Sequence, residues 1–104
     1  MPTLEEDLRV ALLDLYKEWL TIDYRAARFR PMLNRKGSVE SVKRLLSGKL
    51  SEKSGFIRLV RAGKLEWTVE SLICSQRKWR PLFSDVELAI ACSRVQTALL
   101  LMDH

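Results

Sequence analysis

Apolar residues recur at intervals of three and four along most of the chain, the spacing that places side chains on one face of an α-helix. The first stripe follows Thr3 and Glu6, which have the S/T-x-x-E spacing of a capping box. Its members are Leu8, Leu12, Leu15 and Trp19. We therefore predict a first helix from about Leu4 to Leu20.

The next segment repeats this spacing and predicts a second helix, which ends at Gly37 in a left-handed turn. Its stripe consists of Ile22, Ala26, Phe29 and Leu33. Pro31 lies inside the pattern. Because proline lacks a backbone N–H and clashes with the preceding turn, we expect the helix to be kinked or broken near Arg30.

Three shorter helices are predicted next. The third and fourth would each begin at a serine cap, Ser38 and Ser54, and each would end at a glycine. Thr68 would cap a fifth helix. Trp67 and Leu72 stand at the two positions that form a hydrophobic staple around this cap.

The stretch RKWRPLFSDVELA allows two interpretations. Its aromatic residues Trp79 and Phe83 stand among cations, a pattern typical of base stacking in nucleic-acid-binding proteins. However, Ser84 and Glu87 form a capping box, and Phe83 and Leu88 would form a staple around it. We therefore interpret Phe83 as a helix-entry residue. For Trp79, packing into the core with cation–π support is favoured over stacking on a base.

The last helix carries one apolar stripe, made of Leu88, Cys92, Val95, Leu99 and Met102. The strict alternation of a half-buried strand is absent, apart from a weak stretch at 64–68. We therefore predict an all-α fold in a single compact domain, 1–104, of about six helices. The longer first and last helices would pack together, with the short helices between them.

The two cysteines, Cys74 and Cys92, lie inside apolar helical patterns. Their number and spacing indicate neither a metal site nor a disulfide framework, so we interpret both as buried free thiols. Free thiols are typical of a reducing compartment, and we expect a cytoplasmic protein. No apolar run approaches the roughly 18 residues that a membrane-spanning helix needs, so no membrane partner is expected.

Residue patterns typical of active sites are few. The only histidine, His104, is the last residue, a position too prone to fraying for a buried general base. Neither G-x-G-x-x-G nor the phosphate-binding G-x-x-x-x-G-K-[ST] motif occurs. Glu66 and Glu70 stand at the start of a predicted helix, where carboxylates complement the helix dipole. We predict a non-enzymatic protein without a metal or cofactor.

Positive charge is concentrated in the middle of the chain. The net charge is +5, but residues 21–83 hold fifteen cations and five anions, and both ends are mildly acidic. Such asymmetry favours an anionic partner, and we predict a cationic surface that binds the phosphates of DNA or RNA. The candidate residues are Arg25, Arg28, Arg35, Lys36, Lys43, Arg44, Arg58, Arg61, Arg77 and Lys78.

The alternative function is protein–protein interaction or regulation as a homodimer, without nucleic-acid binding. The last helix ends in the run Leu99–Met102, which is apolar on all sides, and such a helix must be buried on more than one side. The first helix adds apolar residues outside its stripe. The candidate interface residues are Leu13, Leu20, Leu100 and Leu101.

Nearly the whole chain resembles a small helical domain of bacterial proteins whose function is uncharacterised. The resemblance is carried by the segments SGFIRLV, LEWTVESLI and WRPLF, within a pattern G-F-x-x-L, T-V-E-x-L and W-x-x-L-F-x-x-x-E-L. Most of these positions are caps and core, so the resemblance implies a shared helical fold and transfers no activity. Pro31 departs from the pattern.

Overall fold

The structure, a computed structural model, describes residues 3–50 and 53–102. Over these residues it contains no β-strand, and the predicted all-α fold is confirmed. The elements in chain order are α1 (Leu4–Thr21), α2 (Phe29–Leu46), α3 (Ser54–Arg61), a first 3₁₀ helix (Leu65–Trp67), α4 (Val69–Ser75), a second 3₁₀ helix (Arg77–Leu82) and α5 (Asp85–Met102).

Three helices begin at the caps that the sequence indicates. Thr3 and Thr68 each accept a hydrogen bond of 3.1 Å from the backbone N–H three residues later. The capping box before α5 is complete, since Glu87 N donates to Ser84 Oγ at 3.1 Å and Ser84 N donates to Glu87 Oε1 at 2.8 Å. These bonds satisfy backbone donors that the first helical turn leaves without partners.

The second helix begins at Phe29, later than its apolar stripe predicts. After α1, Asp23 adopts the left-handed conformation with φ 59°. The N–H groups of Asp23 and Tyr24 donate to carbonyls in the last turn of α1 at 3.1 and 2.9 Å, which is the Schellman arrangement. Residues 22–28 therefore form a turn that reverses the chain. The apolar residues Ile22 and Ala26 have helical spacing, but they do not lie in a helix.

Pro31 does not kink α2. It is the third residue of the helix, where its missing N–H would have no intrahelical acceptor. The interruption lies at Gly37 instead, with φ 81° and ψ 173°, and it divides α2 into two segments. Two predicted caps are wrong: the Ser38 hydroxyl donates to the Glu5 carbonyl of α1 at 2.7 Å, and Ser54 is the first residue of α3, which begins without a side-chain cap.

One apolar cluster joins the two ends of the chain. Helix α1 packs on α2, and α5 packs mainly on α4. Leu8 and Leu12 of α1 and Ala91 of α5 nevertheless belong to the same buried cluster. The two long terminal helices thus share a core, although each makes its most extensive direct contacts with another helix.

Trp79 is a core residue, with 1% of its surface exposed. Phe83 is buried beside it in the same cluster. The Lys78 ammonium lies 4.7 Å from the centroid of the Trp79 ring, which supplies the expected cation–π contact. This stretch therefore seats α5 on the core, and neither aromatic ring is available as a platform for bases.

The prediction of two free thiols is wrong. Helices α4 and α5 lie side by side and bring Cys74 and Cys92 to a Cα–Cα separation of 5.0 Å, and their sulfur atoms form a disulfide. The pairing depends on the way the second 3₁₀ helix folds α5 back on α4. The apolar spacing of each helix does not reveal this return of the chain.

The buried face of α5 also differs from its predicted stripe. Ala91, Arg94 and Ala98 are buried, whereas Leu99 is 44% exposed. Ala91 belongs to the main cluster, whereas Ala98 belongs to a second, smaller one with Phe56 and Leu65. The predictions for Met102, as part of the apolar stripe, and for His104, as a frayed terminal residue, cannot be compared with the structure. The side chain of Met102 and the whole of His104 lie outside the described residues.

Candidate nucleic-acid interface

A surface groove runs along the 22–28 turn, α2 and the start of α3. It consists of two adjoining hollows, an inner one of about 570 Å³ and an outer one of about 740 Å³. Both are lined by Ala27, Arg28, Met32 and Arg44. We call the two hollows together the cationic groove, because six cations line it.

The cations come from separate parts of the chain. They are Arg25 and Arg28 of the turn, Arg35 and Lys36 before the interruption in α2, Arg44 in its last turn, and Lys53 before α3. Arg25 is paired with Asp23 at 3.2 Å, but both side chains are largely exposed, so the pair contributes little. Within 3–50 and 53–102, no carboxylate lies within salt-bridge distance of the other five.

The inner hollow has an apolar, aromatic wall. The centroid of the Trp19 ring lies 4.9 Å from that of Phe29 and 5.4 Å from that of Tyr24. Trp19 is held in place because its Nε1 donates to the Trp67 carbonyl at 2.7 Å. Met32 and Leu45, both half-buried, continue the wall toward the outer hollow. An apolar recess is thus surrounded by guanidinium and ammonium groups.

Tyr24 closes one side of the inner hollow against the start of α3. Its hydroxyl occupies the space that a side chain at Gly55 would need, so only glycine permits this approach. Burial raises the pKa of Tyr24, and the Arg58 guanidinium, 5.1 Å from the ring centroid, opposes this shift. Ser54 and Gly55, from the uncapped first turn of α3, also line the hollow.

Glu70 is the only carboxylate that lines the groove among the described residues. It is 5% exposed and accepts a hydrogen bond of 3.2 Å from Arg94 Nη1. Arg94, itself 6% exposed, also donates to the carbonyls of Leu45, Leu46 and Gly48 at 2.9 to 3.2 Å. One guanidinium therefore holds the end of α2 against α4 and α5, and it neutralises the carboxylate below the groove.

The fold brings five of the ten predicted phosphate-binding residues into the cationic groove: Arg25, Arg28, Arg35, Lys36 and Arg44. Arg58 adjoins it through the Tyr24 ring. The remaining residues, Lys43, Arg61, Arg77 and Lys78, do not line it. Two of these have acidic neighbours at 3.9 Å, with Glu87 beside Lys43 and Asp7 beside Lys78. Lys53 also lines the groove but was not predicted, because it precedes α3 and belongs to no charged face of a helix.

The four predicted interface residues differ in their exposure to solvent. Leu13 is half-buried against the core, whereas Leu20 is exposed. Leu100 and Leu101 are 60% and 68% exposed on the last turns of α5, next to Leu99. These three consecutive leucines are among the exposed large apolar residues of the described chain.

Other types of site are not indicated. The described residues include no group of His, Cys, Asp or Glu side chains that could hold a metal ion. Nor do they form a helix with the length and apolar character needed to cross a bilayer. The chain matches no protein-family model, no curated protein and no solved structure.

Proposed function

We propose that the protein is a non-enzymatic domain that binds the phosphate backbone of nucleic acids in the cationic groove. The observation that carries this proposal is the convergence of six cations around a recess whose one carboxylate is already paired. Several cations around one groove suit a polymer of phosphates, because each contact releases counterions condensed on the nucleic acid. Such contacts position a strand without reading its sequence.

Salt dependence is the expected signature of this function. We expect the logarithm of the binding constant to fall linearly with the logarithm of salt concentration, with a slope of about −0.7 to −0.9 per phosphate contact. Six cations set a limit of roughly −4 to −5. Replacing Arg28 and Arg44, which line both hollows, with serine should flatten the slope by up to about 2 and weaken binding to all sequences alike.

The matched control replaces Arg61 and Arg77 with serine. This double variant has the same net charge, and its two substituted residues are exposed and outside the groove. Fluorescence anisotropy of labelled oligonucleotides across a salt series measures both variants. An equal loss in the two variants would contradict a localised site. If the parent protein fails to bind at about 50 mM salt, the central cations are not a nucleic-acid site.

A second candidate function, self-association, is favoured by the exposed Leu99, Leu100 and Leu101. Exposed apolar side chains concentrated at one end of a helix favour an interaction with another chain. We expect sedimentation equilibrium at micromolar concentration to give about twice the chain mass of 12.1 kDa. Replacing Leu100 and Leu101 with glutamate should restore the monomer. A parent protein that stays monomeric at high concentration would rule out this function.

We keep the cytoplasm as the proposed location, because nucleic-acid partners are present there. Cys74 and Cys92 form a disulfide and are not the free thiols typical of a reducing compartment. Disulfides in cytoplasmic proteins are usually transient or redox-sensing.

A further inference from the structure

We infer that the cationic groove binds single-stranded nucleic acid and that one base enters the inner hollow while the flanking phosphates lie along the outer hollow. This inference rests on the proposed function and specifies its ligand. The observation behind it is the union of two different surfaces in one groove. Four of the cations line each hollow, and only the inner hollow adds aromatic side chains, among them Trp19, Tyr24 and Phe29.

The inner hollow has the character of a binding site for a flat, partly apolar group. Its volume of about 570 Å³ lies within the range of roughly 300–1,000 Å³ usual for small-molecule sites. Tyr24, Met32 and Leu45 are half-buried, so part of each remains accessible on its wall. Aromatic and apolar walls are the surfaces on which unpaired bases stack.

The cations stand where the backbone of such a strand would pass. Arg28 and Arg44 line both hollows, so a phosphate beside them is connected to a base on one side and to further phosphates on the other. Arg35 and Lys36 continue the path along the outer hollow. Lys53 and the uncapped start of α3 add positive charge and N–H donors at the inner end.

A duplex suits this geometry less well. Bases in a duplex are paired and stacked, and a recess can take one only after it has been unstacked, at a cost of a few kcal/mol. A single strand has no pairing to break and can turn a base outward. A strand of phosphates without bases would satisfy the cations but leave the apolar wall uncovered. Binding should therefore depend on the bases as well as on the charge.

The experiment compares three labelled probes of equal length by fluorescence anisotropy: oligo-deoxythymidine of about 12 nucleotides, the same strand with abasic sites throughout, and a duplex. We expect the abasic strand to bind roughly 5- to 150-fold more weakly than oligo-deoxythymidine, the loss expected for one stacked base. Its salt slope should be unchanged, because both strands carry the same phosphates. The duplex should also bind more weakly than the single strand at equal salt.

A variant that fills the hollow without changing the charge completes the test. Ala27→Leu adds bulk at an exposed position on the wall that both hollows share, and Ala89→Leu adds the same bulk at an exposed position of α5. We expect Ala27→Leu to remove the difference between the base-containing and abasic strands and Ala89→Leu to preserve it. Circular dichroism verifies that both variants fold.

The outcomes separate the inference from the proposed function. If the abasic strand and the duplex bind as tightly as oligo-deoxythymidine, the inference is overturned while phosphate binding stands. The inference is also overturned if Ala27→Leu leaves the preference for bases intact. If no probe binds even at about 50 mM salt, the proposed function fails, and the inference fails with it.

Discussion

Replacing Arg94 with methionine is expected to destabilise the protein by about 3–5 kcal/mol, the usual cost of breaking a buried ion pair from one side. Methionine keeps most of the length of the side chain but none of its five donors. The change leaves the Glu70 carboxylate buried without its partner. It also removes the donors to the carbonyls of Leu45, Leu46 and Gly48.

Glu70→Gln is the informative comparison, because the two partners of this pair are not equivalent. The Arg94 guanidinium also contacts the carbonyl end of α2, where the helix dipole favours a cation. Its charge therefore remains compensated when Glu70 becomes neutral. When Arg94 is replaced, the buried Glu70 carboxylate keeps only the hydrogen bond from its own backbone N–H and the charge of Lys53. We expect Glu70→Gln to cost far less than Arg94→Met.

The burial of Glu70 should also make the stability of the protein depend on pH. Burial raises the pKa of Glu70 above its usual 4.5, although hydrogen bonds from its own backbone N–H and from Arg94 oppose the shift. The folded protein therefore holds this proton more tightly than the unfolded chain does. The contribution of Glu70 to stability is full below pH 4.5 and is lost as pH rises through the raised pKa. Glu70→Gln should remove this loss.

Urea unfolding of the parent protein and both variants, at pH 4 and pH 7, measures these free energies. An Arg94→Met variant within about 1 kcal/mol of the parent at pH 7 would show that the pair is hydrated in solution. The buried arrangement would then be wrong. A Glu70→Gln variant with an unchanged pH profile would assign the pH dependence to other groups.

Loss of the disulfide is the second large effect that we expect. Cys74 and Cys92 are separated by 18 residues, and closing a loop of about that size restricts the unfolded chain by roughly 3 kcal/mol. Replacing both cysteines with serine should therefore lower the melting temperature by about 12–24 °C, at 4–8 °C per kcal/mol for a domain of this size. A reducing agent should have a similar effect on the parent protein and almost none on the double variant.

Intact mass provides the control, since the oxidised chain is two hydrogen atoms lighter than the reduced chain. Thiol labelling of the unfolded protein, with and without prior reduction, gives an independent count of free cysteines. If the parent protein reacts fully with a thiol reagent and melts at the same temperature with or without reductant, the disulfide does not exist in solution. Cys74 and Cys92 would then be free thiols, as the sequence analysis predicts.

The sequence predicts those parts of the fold that depend on neighbouring residues. The caps at Thr3, Thr68 and Ser84 were predicted because each acts on a backbone N–H three residues away. The turn after α1 was missed because Asp23 adopts the left-handed conformation that is usually given to glycine. In the same way, Pro31 indicated a kink because the sequence does not fix where the helix begins.

The candidate site depends on contacts between distant residues. Arg94 looks like any charged residue of a helix until the end of α2, 46 to 49 residues earlier, lies against it. Lys53 precedes a helix and belongs to no apolar or charged stripe, yet it borders the inner hollow. The charge excess of residues 21–83 predicts that a cationic surface exists. Only the packing of α2, α3 and the 22–28 turn determines which cations share a groove.

The close approach of Tyr24 to Gly55 implies a rule for sequence divergence. A methyl group at position 55 and the hydroxyl of a tyrosine at position 24 compete for the same space, so position 55 cannot gain a side chain while that hydroxyl is present. Relatives that keep the tyrosine hydroxyl should keep the glycine, and those with a larger residue at 55 should have phenylalanine or a smaller residue at 24. Covariation of these two positions would therefore identify which relatives retain an inner hollow.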